Sequence, residues 1–117
     1  RLYDTTGCGN SLDFTNTHVT TFAVDSLRYW AKRIGIDGFR FDLAATLARL
    51  DGEFTRYHPF LYALRSDLLL GNLKMIMEPW DCGPNGWRTG QFSPWPRAYA
   101  AQPICSPPTP DADRPHP

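Results

Sequence analysis

Two carboxylates and one guanidinium stand out for the chemistry their spacing allows. Asp42 closes the run Gly38-Phe39-Arg40-Phe41-Asp42-Leu43, and Glu78 closes Lys74-Met75-Ile76-Met77-Glu78. In an extended segment successive side chains alternate, so Arg40 and Asp42 share one face and Phe39 and Phe41 the other. Burying a carboxylate without a partner is costly, and the planar donor fork of Arg40 suits one. Two readings stay open on this run alone: a structural ion pair ending a strand, or a catalytic carboxylate.

If the two runs are neighbouring parallel strands, their ends lie side by side about 4.8 Å apart. Carboxyls carried there would face each other at roughly 5 to 5.5 Å, the separation used in retaining cleavage of a glycosidic bond. Arg40 would then keep Asp42 ionised as a nucleophile. Glu78, beside Pro79 and Trp80 and opposite a negative neighbour, would hold its proton and protonate the leaving oxygen. The structural alternative for Glu78 is a strand-end cap or a salt bridge to Lys74.

These groups need elements to carry them. Residues 1 to 17 are rich in Thr, Asn, Gly and Asp and predict a loop. Val19, Phe22, Ala23, Leu27, Trp30, Ala31 and Ile34 recur at helical spacing and predict a helix over 18 to 34, with a core-facing stripe, Thr17 as N-cap and Gly35 as stop. A strand over 36 to 43 follows, then a short helical turn over 44 to 49 broken at Asp51-Gly52. Pro59 suits the first turn of a second helix with Phe60, Leu61, Leu64 and Leu68 on its apolar face, ending near Gly71-Asn72. The second strand covers 74 to 78, where Pro79 ends the ladder. Helix, strand, helix, strand with a crossover of helical length predicts parallel pairing in an α/β fold. Both carboxylates then fall at strand C-terminal ends, where ligands bind in such folds. Two strands are few for a parallel sheet, so the chain reads as a slice of a larger α/β domain.

Composition narrows the partners. Twelve basic and twelve acidic residues cancel, and no basic stripe points to nucleic acid. No apolar run is long enough to span a bilayer, so no membrane partner is expected. The aromatic share of 14%, with four Trp, suits flat sugar faces as well as a core. Cys8, Cys82 and Cys105 are widely spaced, with no C-x-x-C pair and no metal-ligand pattern, which fits a reducing, cytoplasmic compartment. The start Arg1-Leu2-Tyr3, without Met or a signal core, reads as a piece whose beginning is lost.

Gly38-Phe39-Arg40-Phe41-Asp42 followed by Glu78-Pro79-Trp80-Asp81 resembles two signature regions of the α-amylase superfamily of glycoside hydrolases. Thr6-Gly7-Cys8-Gly9-Asn10, Leu27-Arg28-Tyr29-Trp30 and Gly83 to Phe92 resemble, more narrowly, bacterial glycogen debranching enzymes of the isoamylase type. The resemblance covers about residues 3 to 92. It implies a fragment of a (β/α)₈ TIM barrel, about helix 3, strand 4, helix 4 and strand 5. It implies Asp42 as nucleophile, Glu78 as general acid/base, Arg40 as the residue orienting the nucleophile, and Trp80 and Asn10 as sugar-binding candidates. The implied substrate is a branched α-glucan, glycogen or its limit dextrin, cut at α-1,6 linkages with no metal or organic cofactor. Other α-glucan hydrolases or transferases of the superfamily share the same two motifs.

The family pattern also has an Asp and an Asn-His pair on the third strand and a further Asp on the seventh, and these motifs are absent here. A full barrel takes about 250 residues. The expectation is therefore a chain inactive alone; a non-catalytic or weakly sugar-binding remnant is the competing reading. Oligomeric state is open.

The expected domain division is 1–92, a partial barrel, and 93–117, a Pro-rich disordered tail holding eight of the eleven prolines. Family members run on from Gly90-Gln91-Phe92 into a Trp-Asn-Asp tract, whereas this chain reads Ser93-Pro94-Trp95-Pro96-Arg97. That break predicts a frameshifted tail, which translation of the other two reading frames after Phe92 would test. A ligand for a proline-binding domain is a weaker reading of the same tail, lacking a clean P-x-x-P repeat with a basic anchor.

Overall fold

The computed structural model describes residues 3–92 together with the strand Ala98–Ala100. The long helix α1 covers Thr17–Tyr29 and runs on as a wider π turn over Trp30–Ile34. Its cap is Asn16, one residue before the expected Thr17; the Asn16 carboxamide oxygen accepts the His18 N–H at 2.9 Å. Gly35, at φ 80°, takes the left-handed conformation that ends the helix, as its type requires.

Strand β1 is Gly38–Phe41 and strand β4 is Lys74–Met77, and they pair in parallel with Arg40 opposite Ile76 and Phe41 opposite Met77. Both are shorter than the predicted runs, and Asp42 and Glu78 sit just past their ends. Gly38 is needed for this pairing, because a Cβ there would lie 2.4 Å from the Lys74 carbonyl oxygen.

Between them, a 3₁₀ turn over Ala44–Ala48 leads to a two-residue antiparallel ladder, β2 (Arg49–Leu50) with β3 (Glu53–Phe54). Asp51 and Gly52 both have positive φ, 51° and 86°. The dipeptide therefore makes a hairpin turn of the Asp-Gly kind where only a break was expected. Helix α2 covers Pro59–Ser66 and is capped by His58, whose Nδ1 accepts the Phe60 N–H. A 3₁₀ turn over Leu70–Asn72 returns the chain to β4.

The core lies on one face of the sheet. Met75 and Met77 are buried there with Phe60, Leu61, Leu64 and Leu70, and Phe39 and Phe41 pack against them. The opposite face carries Arg40 and the two strand-end carboxylates, as strand alternation dictates.

Three expectations need correction. The α1 stripe is not wholly core: Phe22 is 74% exposed, and Trp30 and Ile34 are also exposed, because the buried face is turned onto Val24 and Ala31. Leu68 lies beyond the end of α2 and is exposed. The tail is expected to be disordered and to supply no central strand, yet Ala98–Ala100 forms β5, an edge strand parallel to β4 in the order β1-β4-β5. Residues 97 to 102 contain no proline, the longest such run in the tail, and so keep the N–H donors a ladder needs. The rest of the expected disordered tail lies outside the described residues. The sheet, two helices and parallel crossover form a small mixed α/β fold, and no helix among the described residues is long and apolar enough to cross a membrane.

Candidate functional site

Parallel register brings the two carboxylates together one step past the ladder. The Glu78 N–H donates to the Phe41 carbonyl at 3.0 Å, and the Ala44 N–H donates to the Glu78 carbonyl at 2.9 Å, so the strand pair is held closed beyond its last residues. Between these bonds Leu43 turns the backbone into the left-handed region, φ 46°. That turn is uncommon for a bulky residue. It aims the Leu43 N–H at Glu78 Oε2, 2.9 Å away.

Glu78 is the better satisfied of the two acids. Arg40 Nη2 lies 3.1 Å from Glu78 Oε1. The Trp80 backbone N–H donates to the Glu78 carbonyl at 2.9 Å, and Asp42 stands beside Glu78 at the neighbouring strand end. The expected ion pair between Arg40 and Asp42 is thus replaced by one between Arg40 and Glu78. A long side chain reaches its diagonal neighbour on the adjacent strand as easily as the residue two places along its own.

The two acids shift in opposite directions. Asp42 is raised above its ordinary value, chiefly by its hydrogen bond to Glu78 and then by burial and the Glu78 charge; Arg40 and the Leu43 N–H pull it down by less. Glu78 is lowered, chiefly by the bond from Asp42, helped against its burial by the Leu43 N–H, Trp80 and Arg40. Each acid is thus the largest influence on the other, Asp42 being pushed up and Glu78 down. Two carboxyls that shift each other titrate as a unit.

The turn after β4 is held by a pair that sequence reasoning passed over. Asp81, buried, accepts from Arg49 Nε at Oδ2 and from Arg49 Nη2 at Oδ1, 2.6 Å each. Arg49 also donates to the Pro84 and Gly52 carbonyls at 2.9 and 2.5 Å, and Gly83 N–H donates back to Asp81. Gly83 and Gly86 give this brace its room: a Cβ on Gly83 would lie 2.7 Å from Arg49 Nη2, and one on Gly86 2.2 Å from the Asp81 carbonyl oxygen. The signal was present in the fourth residue of Glu78-Pro79-Trp80-Asp81 and in the hairpin dipeptide Asp51-Gly52, which places Arg49.

Trp80 is half-buried and its backbone is bonded to that of Glu78, which keeps it beside the strand end that carries this acid. Asn10 stands in the exposed loop organised by Asp4, whose carboxylate accepts the N–H groups of Thr6, Gly7 and Gly9, and it makes no contact with either acid among the described residues. That loop is nonetheless fixed to the β4 turn, with Cys82 N–H donating to the Thr5 carbonyl at 2.8 Å and Thr5 Oγ1 hydrogen-bonded to Thr46 Oγ1. No group of three or more His, Cys, Asp or Glu side chains among the described residues could hold a metal ion.

No protein-family model matches the chain. Curated relatives do. It is 46% identical over 89 residues to a glycogen debranching enzyme of Erwinia tasmaniensis, covering 76% of this chain and 13% of that protein. The glycogen debranching enzyme of Klebsiella pneumoniae is 44% identical over the same share. The glycogen operon protein GlgX homolog of Mycobacterium tuberculosis is 44% identical over 93 residues, covering 79% of this chain and 13% of that protein. The chain is thus homologous to glycogen debranching enzymes over about three quarters of its length, and it spans 13% of the length of these relatives.

Proposed function

We propose that this homologue of glycogen debranching enzymes carries the two reacting carboxylates of a retaining α-1,6-glucan hydrolase, on strands corresponding to the fourth and fifth of a (β/α)₈ barrel. The observation that carries the reading is the meeting of Asp42 and Glu78 at the C-terminal ends of two parallel neighbouring strands. Asp42 is the nucleophile on the anomeric carbon and Glu78 the acid/base on the leaving oxygen, with Trp80 and Asn10 on the sugar side. A branched α-glucan such as glycogen or its limit dextrin is the substrate, and the chemistry needs no cofactor.

Charge order must change for this reaction. As it stands, Asp42 is pushed above its ordinary value and Glu78 below its own, each chiefly by the other. A glucosyl unit entering between them would break their mutual hydrogen bond, remove the largest cause of both shifts, and leave Arg40 and the Leu43 N–H to favour ionised Asp42. The closed pair favours a second reading for the chain by itself: a non-catalytic segment with its acids satisfied by each other.

Grafting separates the two. Residues 3–92 replace the corresponding stretch of the Erwinia tasmaniensis relative, and release of linear maltooligosaccharides from glycogen is measured. The isolated chain is expected to release none. The graft is expected to be active and to lose at least about a thousandfold in rate on Asp42→Asn, the order seen when a reacting group of a catalytic set is removed. A folded graft with no activity, or one indifferent to Asp42→Asn, would sink the hydrolase reading.

A further inference from the structure

Two free, exposed thiols, Cys8 and Cys82, lie on loops that are bonded to each other. Cys82 N–H donates to the Thr5 carbonyl, which fixes the two backbones side by side. Cys82 Sγ then sits 3.5 Å from the position of a Cβ on Gly7. Cys8 is the next residue, one peptide step of about 3.8 Å along the chain. A disulfide asks for Cα atoms about 4.4 to 6.8 Å apart, so the bond closes when Cys8 turns toward the Cys82 sulfur. Cys8 is flanked by Gly7 and Gly9 at φ 75° and 107°, whose N–H groups the Asp4 carboxylate holds, and no atom within 4 Å would meet a Cβ on Gly9, so the Cys8 side chain has room to turn.

We propose that Cys8 and Cys82 form a dithiol pair that closes to an intramolecular disulfide by exchange with a low-molecular-weight disulfide. One thiolate attacks a sulfur of the small disulfide and expels one small thiol. The second attacks the protein sulfur of the mixed disulfide and expels the other. Two S–H bonds are lost, one S–S bond forms in the protein, and the two electrons leave in two small thiols. The cross-link ties the Asp4-centred loop to the turn that follows Glu78, Trp80 and Asp81, so its state sets how far that turn can move. This proposal stands apart from the hydrolase reading and does not need the chain to be active.

Oxidised glutathione is the probe, applied to the Cys105→Ser chain so that only the two thiols remain, with intact mass and peptide mapping as readouts. The expected product is about 2 Da lighter than the reduced chain, with the Cys8 and Cys82 peptides linked. Cys82→Ser in the same background should stop at a single glutathione adduct about 305 Da heavier. Closure should slow at least about tenfold in concentrated urea, where only chance encounter across the long loop remains. Two stable glutathione adducts, an intermolecular disulfide, or equal closure rates with and without urea would each overturn the proposal. The same mapping on the unsubstituted chain should return the Cys8–Cys82 link; a link from either to Cys105 in its place would also overturn it.

Discussion

Arg49 grips Asp81 through two parallel N–H···O contacts of 2.6 Å each, with both side chains almost wholly out of water. This pair, thirty-two residues apart in sequence, ties the hairpin to the turn that carries Trp80. Its guanidinium bonds to two carbonyls as well, so four acceptors meet one cation.

Breaking that grip from one side should be expensive. Asp81→Asn is expected to cost about 3 to 5 kcal/mol, because a buried guanidinium loses its counter-charge. Arg49→Lys should fail to rescue, since an ammonium cannot bind both oxygens in parallel. Urea unfolding followed by tryptophan fluorescence measures both. The joint change Arg49→Met with Asp81→Leu should cost less than Asp81→Asn alone; a joint cost equal to the sum of the single ones would show that the charge pairing is not what holds the turn.

The two acids should leave opposite marks on the pH dependence of stability. Asp42 has a raised value in the fold, so its contribution is complete below the ordinary carboxylate range and is lost as pH rises through the folded value. Glu78 has a lowered value, so its contribution is present above the ordinary range and is lost as pH falls through the folded value. Asp42→Asn should flatten the loss on the high side and Glu78→Gln the loss on the low side. Urea midpoints between about pH 3 and 7 would show it, and an Asp42→Asn curve parallel to the unsubstituted one would contradict the raised Asp42 value.

His58 sets a separate acid limit. It is fully buried, its Nδ1 must stay unprotonated to accept the Phe60 N–H, and burial pushes its value below the ordinary range despite the opposing Arg49 backbone and Asp13 charge. Protons therefore bind the unfolded chain first, and stability should fall as pH drops through about 6.5. His58→Asn keeps an N-cap acceptor without the titration and should be level between about pH 7.5 and 5.5. A slope identical to that of the histidine chain would place the acid sensitivity elsewhere.

Gly38→Ala tests the close approach of β1 and β4. Its Cβ would press on the Lys74 carbonyl, 2.4 Å away, and backbone cannot yield there as a flexible side chain would. A cost of about 1 to 3 kcal/mol in unfolding is expected, of the order found for overpacking. Gly9→Ala, which meets no atom within 4 Å, serves as the contrast for steric crowding. Gly9 sits at φ 107°, so its own loss reports backbone strain, and a Gly38→Ala loss within about 0.5 kcal/mol would mean that strand spacing is not what requires glycine there.

Much of the fold could be read from local chemistry. Gly35 stopped α1, Pro59 opened α2, and the apolar runs at 38–41 and 74–77 paired in parallel as their crossover required. Misreadings arose where tertiary contacts decide. Asp51-Gly52 is a breaker or a hairpin depending on whether Arg49 and Phe54 find each other. Alternation correctly put Arg40 and Asp42 on one face, but the choice between Asp42 and Glu78 as partner rests on distances across strands, which periodicity does not carry. The brace from Arg49 to Asp81 has the same character: each residue is ordinary alone. Phe22 and Trp30 followed helical spacing, yet a helix of this length has more apolar surface than one small sheet can cover.

The left-handed turn at Leu43 constrains which substitutions the site tolerates. At this position the backbone, more than the side chain, screens the amino acids, because its φ of 46° is what points the amide at Glu78. A library randomised at residue 43 should therefore return glycine and asparagine more readily than valine or isoleucine, although the latter are closer to leucine in volume and polarity.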